Sequence, residues 1–453
     1  MFFEVAKSHP YWTITILSFL VNIPCGYIRQ RVPKFSGKWL FWIHASIPLI
    51  IFLRLSLHTS PWFIPVCIAL AVLGQMGGAK WRSQRMTQEE IDHLKQIPDL
   101  NLSSPQLDDD KNVMIVLLNM GGPKTNADVK SFQEHLFTDP ILIRFPLSFL
   151  LQKVFARLLI TFRLKAVQKR YQLIGGGSPI YKSTENQVRA LTDELRRRGR
   201  YFDVIYGFNY SPPFPEETMR TVKQKNKKYL LPLSLYPHYS KATTGSNLYY
   251  LKKAAQKEYP GLKFMKSASY FLHDGYIQAF VDRIYESVEG EGHLKDYYLV
   301  FSVHGLPLYF LVEGDPYPFQ VAQTTAKVLH RLGRSQDWVI CYQSAVGPLQ
   351  WLKPSTDDIL AALARKGIKK VLVVPISFVG DHIETSCEID IEYRHWANKL
   401  GIQNFRMSKA IECHPQFIQA LADSVESILP KTGLTLPSGN FPNIKETLAS
   451  IKH

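Results

Sequence analysis

A chain of 453 residues, 46% hydrophobic and 20% charged, is longer than one hydrophobic core usually serves and too apolar to be disordered. Its five cysteines (Cys25, Cys67, Cys341, Cys387, Cys413) are scattered without a Cys-x-x-Cys pair; this excludes a disulfide scaffold and a zinc ribbon and leaves inert thiols of a reducing compartment. The net charge of +16 would suit nucleic acid or an anionic membrane, but the first 85 residues hold nine basic side chains against one acid, Glu4. These flank apolar runs, which favours the membrane and speaks against nucleic acid.

The apolar runs cover about 12–27, 39–57 and 62–78. Each approaches the ~20 residues that cross a bilayer, although the first is short and contains Pro24. Aromatic residues stand near their ends (Tyr11, Trp12, Tyr27, Trp39, Trp42, Trp62, Trp81), as an interfacial belt requires, and Arg54 can snorkel outward. Glu4 precedes the first run and further runs follow it, so a cleaved signal peptide is disfavoured. Loops 29–38 and 80–85 are basic and loop 58–60 is not. Three spans then put the N-terminus outside and everything beyond Lys80 in the cytoplasm, as at a bacterial-type inner membrane. An interfacial hairpin, or two spans, is the alternative. Residues 1–82 are thus expected to be a transmembrane helical anchor, and 83–110, ending in Asp108-Asp109-Asp110, a polar linker.

From Lys111 the pattern alternates. Short apolar runs at 113–118, 204–207, 229–235, 297–303, 338–342 and 371–376 are separated by amphipathic stretches such as 184–198, 318–332 and 357–366. This predicts an α/β fold of buried parallel strands wrapped by helices. The strands group on either side of residue 270, giving lobes 111–270 and 271–430 with a cleft between them and a featureless tail at 431–453. No G-x-G-x-x-G or Walker pattern occurs, so no nucleotide cofactor is expected; the Gly-rich 175–179 reads as a tight turn. The apolar segment 141–162 reads either as a buried helix or as a lip at a pocket mouth that touches the bilayer.

Two stretches could carry chemistry. The run Gly380-Asp381-His382-Ile383-Glu384 continues to Glu392 after a predicted strand. On an α-helix Asp381, Glu384, Glu388 and Glu392 would fall on one face with no interleaved Lys or Arg. Such a row suits a divalent cation, shifted toward transition metals by the imidazole; equally, it could be a solvated acidic face capping a helix. Ser302-Val303-His304-Gly305-Leu306-Pro307 ends another strand. A lone histidine there is more often structural, but next to the acid row it would complete a base-and-metal site.

Leu118-Asn119-Met120-Gly121-Gly122-Pro123 resembles the opening motif of the ferrochelatase family. Gly175–Pro179, Tyr236-Pro237-His238-Tyr239-Ser240, Thr243–Ser246, Ser302–Pro307, Gly314-Asp315-Pro316-Tyr317-Pro318, Gln343–Pro348 and Asp381–Tyr393 follow in family order over about 111–430. The resemblance implies two Rossmann-like lobes clamping a porphyrin. It implies insertion of Fe²⁺, as substrate, into protoporphyrin IX to form protohaem, with His304 and Glu384 as catalytic residues and iron ligands. It further implies a metal or proton path along Asp381, His382 and Glu388. Arg163, Tyr171 and Ser178 would meet the porphyrin, chiefly its propionates, and Met120, Tyr317 and Trp351 would line the macrocycle pocket. The alternatives are a related chelatase using coproporphyrin III or another metal, or a non-catalytic membrane haem-binding protein. Met120 favours protoporphyrin, because coproporphyrin-using members tend to have an aromatic there.

The chain also departs from the family pattern. Asn209-Tyr210 stands where many members have Arg-Tyr, and Val303 and Gly305 stand where Ala and Ser are common. Beyond residue 410 only Cys413 remains, so no [2Fe–2S] cluster is expected. Oligomeric state is not legible.

Overall fold

The computed structural model describes residues 10–29, 37–57, 59–83, 109–142, 148–290, 292–333, 337–345 and 349–429. Most of the expected basic loop at 29–38, most of the linker, part of the 141–162 segment, the end of the Gln343–Pro348 motif and the tail 431–453 lie outside the described residues. The chain divides into two compact units, Met1–Ile97 and Pro98–His453.

In the first unit one helix, Pro10–Arg29, has the length and apolarity to cross a membrane. The other two runs form shorter apolar helices, Phe41–Ser56 and Ile64–Met76. The unit is built inside out. Trp12, Phe41, Phe52, Leu55, Trp62, Ile68 and Met76 are exposed, whereas Ser18, Asn22, Ser46 and Gln75 are buried. Asn22 Oδ1 accepts from Ser46 Oγ at 2.8 Å and from Gln75 Nε2 at 3.0 Å. Gln75 Oε1 in turn accepts from Arg29 Nη1 at 2.8 Å. A Cβ on Gly26 would lie 2.1 Å from the Gln75 carbonyl oxygen, so first and last helices meet backbone to backbone. Small residues at such crossings let helix backbones approach closely.

The second unit contains eight strands among its described residues. β1 (Val113–Asn119), β2 (Asp203–Phe208), β3 (Tyr229–Ser234) and β4 (Lys263–Phe264) form one sheet in the order β2-β1-β3-β4. β5 (Tyr298–His304), β6 (Trp338–Gln343), β7 (Lys370–Val374) and β8 (Asn404–Met407) form another in the order β6-β5-β7-β8. Every pairing is parallel, and the two orders correspond strand for strand. β1 is buried at every position but its last, and β7 at every position but its first, which is why both read as continuous aliphatic runs. The short strands β4 and β8 carry no comparable run and were not expected.

The lobes are not independently packed. One core joins Val113, Ile115 and Leu117 of β1 with Leu299, Phe301 and Val303 of β5. The last described helix, Pro415–Glu426, returns to the first lobe and packs on helix Ile180–Arg197. Its Asp423 and Glu426 pair with Arg198 at 2.5 and 2.8 Å.

Candidate active site

In parallel sheets the strand carboxyl ends gather on one side, and the loops there carry the chemistry. His304 is the last residue of β5, Ser344 follows β6, and the loop after β7 leads into Glu384. His304 Nδ1 lies 3.1 Å from Glu384 Oε2, and His382 Nε2 lies 3.4 Å from the same oxygen. Neither imidazole Nδ1 makes an aligned hydrogen bond. The Phe378 ring stands edge-on to His304, centroids 6.5 Å apart, and packs on His382 at 4.3 Å. The backbone of His304 is held from both sides. Its N–H donates to Ser377 Oγ at 3.2 Å, and its carbonyl accepts from the Tyr317 hydroxyl at 3.2 Å.

The charges reinforce one another. Burial opposes a charged imidazole at His304, but the Glu384 carboxylate beside it wins and holds its pKa above the ordinary value. Burial would raise Glu384 as well, yet His304 and then His382 hold it well below the usual carboxylate range. Glu388 is raised, by burial first and by Glu384 next.

The acid row differs from its expected form. Glu384–Tyr393 is a π-helix, whose wider turn is a recurrent feature of functional sites. The predicted α-helical geometry is therefore replaced by a wider turn that carries Glu384, Glu388 and Glu392 at four-residue steps, and Asp381 lies ahead of the helix, outside the row. Its carboxylate accepts from Thr385 Oγ1 at 2.9 Å, and its N–H donates to Glu412 Oε1 at 2.8 Å. It lines a separate cavity of about 390 Å³ with Arg283, Asp390, Lys409 and Glu412. The remaining acids each meet a different element. Glu388 accepts from the Ser344 N–H at 2.9 Å and the Ser344 hydroxyl at 2.7 Å. Glu392 accepts both arms of Arg170, Nε at 2.7 Å and Nη2 at 2.5 Å. The row is thus not free of basic partners, because one arrives from 222 residues away.

Of the residues expected at the porphyrin, Met120 follows β1 and packs against Ile180, Tyr181 and Phe208. Arg163 sits on helix Ser148–Leu173 with its guanidinium 5.9 Å from the Phe137 ring. Burial, and then Arg170, lower its pKa. Tyr171 is buried; desolvation first, then Glu384, raise its phenol. Ser178 donates its N–H to Pro123 O at 2.8 Å and packs against Gly122. Tyr317 is buried behind His304. Trp351 covers Gly305, where a Cβ would lie 3.2 Å from the indole and 2.7 Å from the Gln343 carbonyl oxygen. Sequence reasoning quoted Tyr236 and Ser344 within motifs without giving them a role, and did not single out Phe378 or Arg170. Tyr236, raised by burial and then by Glu384, brings a first-lobe phenol within electrostatic reach of the second-lobe acid. Ser344 has φ 63°, a left-handed backbone uncommon outside glycine, which aims both its donors at Glu388.

Asn209 serves packing: it donates to Ser246 Oγ at 3.0 Å and accepts from Asn247 Nδ2 at 3.0 Å. Among the described residues no three His, Cys, Asp or Glu side chains form a closed ligand set. His304 and Glu384 offer two donors facing a partly open space, His304 keeping 38% of its side chain accessible.

The profile of the family described as Ferrochelatase matches residues 112–429. A ferrochelatase of Synechococcus elongatus is 41% identical over 320 residues, covering 70% of this chain and 82% of that protein. One of a Synechocystis species is 41% identical over 332 residues, covering 72% and 85%. Among solved structures, SirB from Bacillus subtilis with Fe³⁺ is 14% identical with a TM-score of 0.41, covering 55% of this chain and 90% of that one. The match spans both sheets, the His304–Glu384 pair and the π-helix, and the chain belongs to the ferrochelatase family.

Proposed function

We propose that this protein inserts Fe²⁺ into protoporphyrin IX to form protohaem, with His304 and Glu384 at the reacting centre. The observation that carries the reading is the His304–Glu384 pair at 3.1 Å at the carboxyl end of β5, within a chain of this family. Insertion must remove both pyrrole N–H protons and deliver a cation to a stiff ring. A pocket that bends the ring exposes its nitrogen lone pairs, with remote binding contacts supplying the strain energy. Neutral His304 accepts a proton or holds the metal, and Glu384 stabilises the imidazolium that forms. Burial and then Glu384 hold the Glu388 carboxyl above its ordinary value, which suits it to pass protons outward. The acid row and His382 form the path for cation or proton, and Arg163 offers a fork to a propionate, with Tyr171 and Ser178 nearby in sequence order. Met120 and Trp351 line the ring site, and Met120 favours protoporphyrin over coproporphyrin III.

The N-terminal unit is a multi-pass bilayer anchor that leaves the catalytic unit on the cytoplasmic side. Its inside-out distribution of polar and apolar side chains supports this, as does the basic character of 29–38 and 80–85. The deciding assay gives the purified protein Fe²⁺ or Zn²⁺ with protoporphyrin IX or coproporphyrin III and follows the absorbance. Insertion favouring protoporphyrin, lost in His304→Ala, is expected. No insertion with either porphyrin, or undiminished insertion by the variant, sinks the mechanism.

A further inference from the structure

The three carboxylates of the π-helix are held in three chemically different ways. Glu384 faces two imidazoles, those of His304 and His382. Glu388 is held by neutral donors, the Ser344 N–H and hydroxyl and, at 3.3 Å, the Tyr393 hydroxyl. Glu392 alone meets a permanent cation, and the Arg170 fork occupies both its oxygens. Exposure runs the same way: Glu384 keeps 20% of its side chain accessible and Glu392 35%, with Arg170 at 42%, so the ion pair stands at the solvent end of the row.

Arg170 also connects this end to another part of the site. It shares helix Ser148–Leu173 with Arg163, close enough to lower that residue's pKa, and its neighbour Tyr171 feels Glu384. The same rod carries Val154, Leu158 and Phe162, exposed at successive four-residue steps. The outer acid is therefore tied to the helix that carries Arg163 and Tyr171, two of the residues expected to meet the porphyrin.

We propose that Arg170 gates the outer end of the acid row and sets how readily a divalent cation enters it; the inference rests on the reading that the row leads toward His304. A fixed positive charge on the outermost carboxylate repels an incoming cation and blocks both oxygens. A pair this exposed opens readily in water, so it acts as a gate rather than a plug.

The test exploits a sign. Loss of either partner breaks the same ion pair, so a purely structural tie would move both variants together. A gate moves them apart, because Arg170→Met frees Glu392 for the metal whereas Glu392→Gln removes the acid and leaves the cation. With the full-length protein in detergent, Zn²⁺ insertion into protoporphyrin IX gives the KM for metal. Arg170→Met should lower it by about threefold or more, and Glu392→Gln should raise it by a similar factor, as expected for one exposed charge. The KM for porphyrin should not follow, and Arg170→Lys, which keeps the charge but loses the fork, should fall between the parent and Arg170→Met. Calorimetric titration of the same proteins with Zn²⁺ alone should give the same order of affinities without turnover. Shifts in the same direction, or none, in variants whose melting temperatures show them folded would overturn the gate. A parent protein that binds Zn²⁺ in this order but inserts none would instead overturn the proposed reaction.

Discussion

The Tyr317 hydroxyl donates to the carbonyl oxygen of His304 at 3.2 Å, from a position 13 residues further along the chain. The histidine therefore stands on a buried phenol, which fixes the end of β5 rather than touching the reacting atoms. Removing the hydroxyl in Tyr317→Phe leaves that carbonyl without its donor and should cost about 1 kcal/mol of stability. Zn²⁺ insertion should fall by about tenfold or less, since a small displacement of a reacting group is costly but not abolishing. Urea unfolding and steady-state absorbance assays check both; an unaffected kcat/KM would remove Tyr317 from the positioning of His304.

Glu384 and His304 act on each other, so neither substitution is silent. Glu384→Gln keeps the shape and removes the charge that favours the imidazolium. Insertion should drop by about 100-fold or more in His304→Ala and in Glu384→Gln, the range for loss of a positioned acid–base group. The double variant should be little worse than either single one, as for residues that work as a unit. Additive losses would mean that the two act separately.

Gly305 is the chain's own departure, and the structure gives it a cause. A serine there would drive its Cβ to 2.7 Å from the Gln343 carbonyl oxygen and 3.2 Å from Trp351. Gly305→Ser should cost about 1–3 kcal/mol through overpacking. Trp351 fluorescence should shift with it. Full stability with an unchanged spectrum would show that the neighbouring backbone moves aside freely.

His238 predicts an acid-sensitive fold. It is fully buried, with Nε2 2.9 Å from Thr324 Oγ1, and burial pushes its pKa down to about 3. The unfolded chain binds this proton near the ordinary value of 6.5 and the folded chain does not, so the unfolded state holds more protons below that pH. The stability tied to neutral His238 is complete above pH 6.5 and drains as pH falls toward 3. The slope is at most about 1.4 kcal/mol per pH unit. Denaturant midpoints measured between pH 7 and 4 should fall less steeply in His238→Gln; parallel curves would assign the acid sensitivity elsewhere.

The polar knot of the N-terminal unit predicts its own behaviour. Asn22→Leu removes the acceptor of Ser46 Oγ and Gln75 Nε2, while Gln75 keeps its bonds to Arg29 and the Ile43 carbonyl. Bundle stability in detergent should fall by about 0.6–2 kcal/mol, the scale of interhelical hydrogen bonds in membranes. Removal of residues 1–108 should release the remainder from carbonate-washed membranes; retention would place a second attachment in the apolar stripe Val154, Leu158 and Phe162.

Much of this was legible in the sequence because the central strands are buried on both faces. β1, β3, β5 and β7 announce themselves as aliphatic runs, and helices Tyr317–Arg331 and Thr356–Arg365 by their periodicity. His304 and Glu384 were recognisable by motif. The exact hydrogen-bonding pattern of the acidic helix was not, because nothing in the spelling of residues 384–393 distinguishes a π-turn from an α-turn. Nor were Arg170 on Glu392 or Ser344 on Glu388, which depend on contacts across 222 and 44 residues. The left-handed backbone of Ser344 belongs to its surroundings, not to its side chain.

The return of helix Pro415–Glu426 to the first lobe bears on how the protein is made. Leu191 and Leu195 share their core with Phe417, Leu421 and Val425, which are translated more than two hundred residues later. A nascent first lobe therefore leaves the ribosome with an uncovered apolar face and waits for almost the entire second lobe. Domain-by-domain folding during synthesis, the usual economy of large proteins, is not open to it. The bilayer anchor proposed for the N-terminal unit would, once inserted, keep that unfinished lobe apart from its neighbours until the last helix arrives.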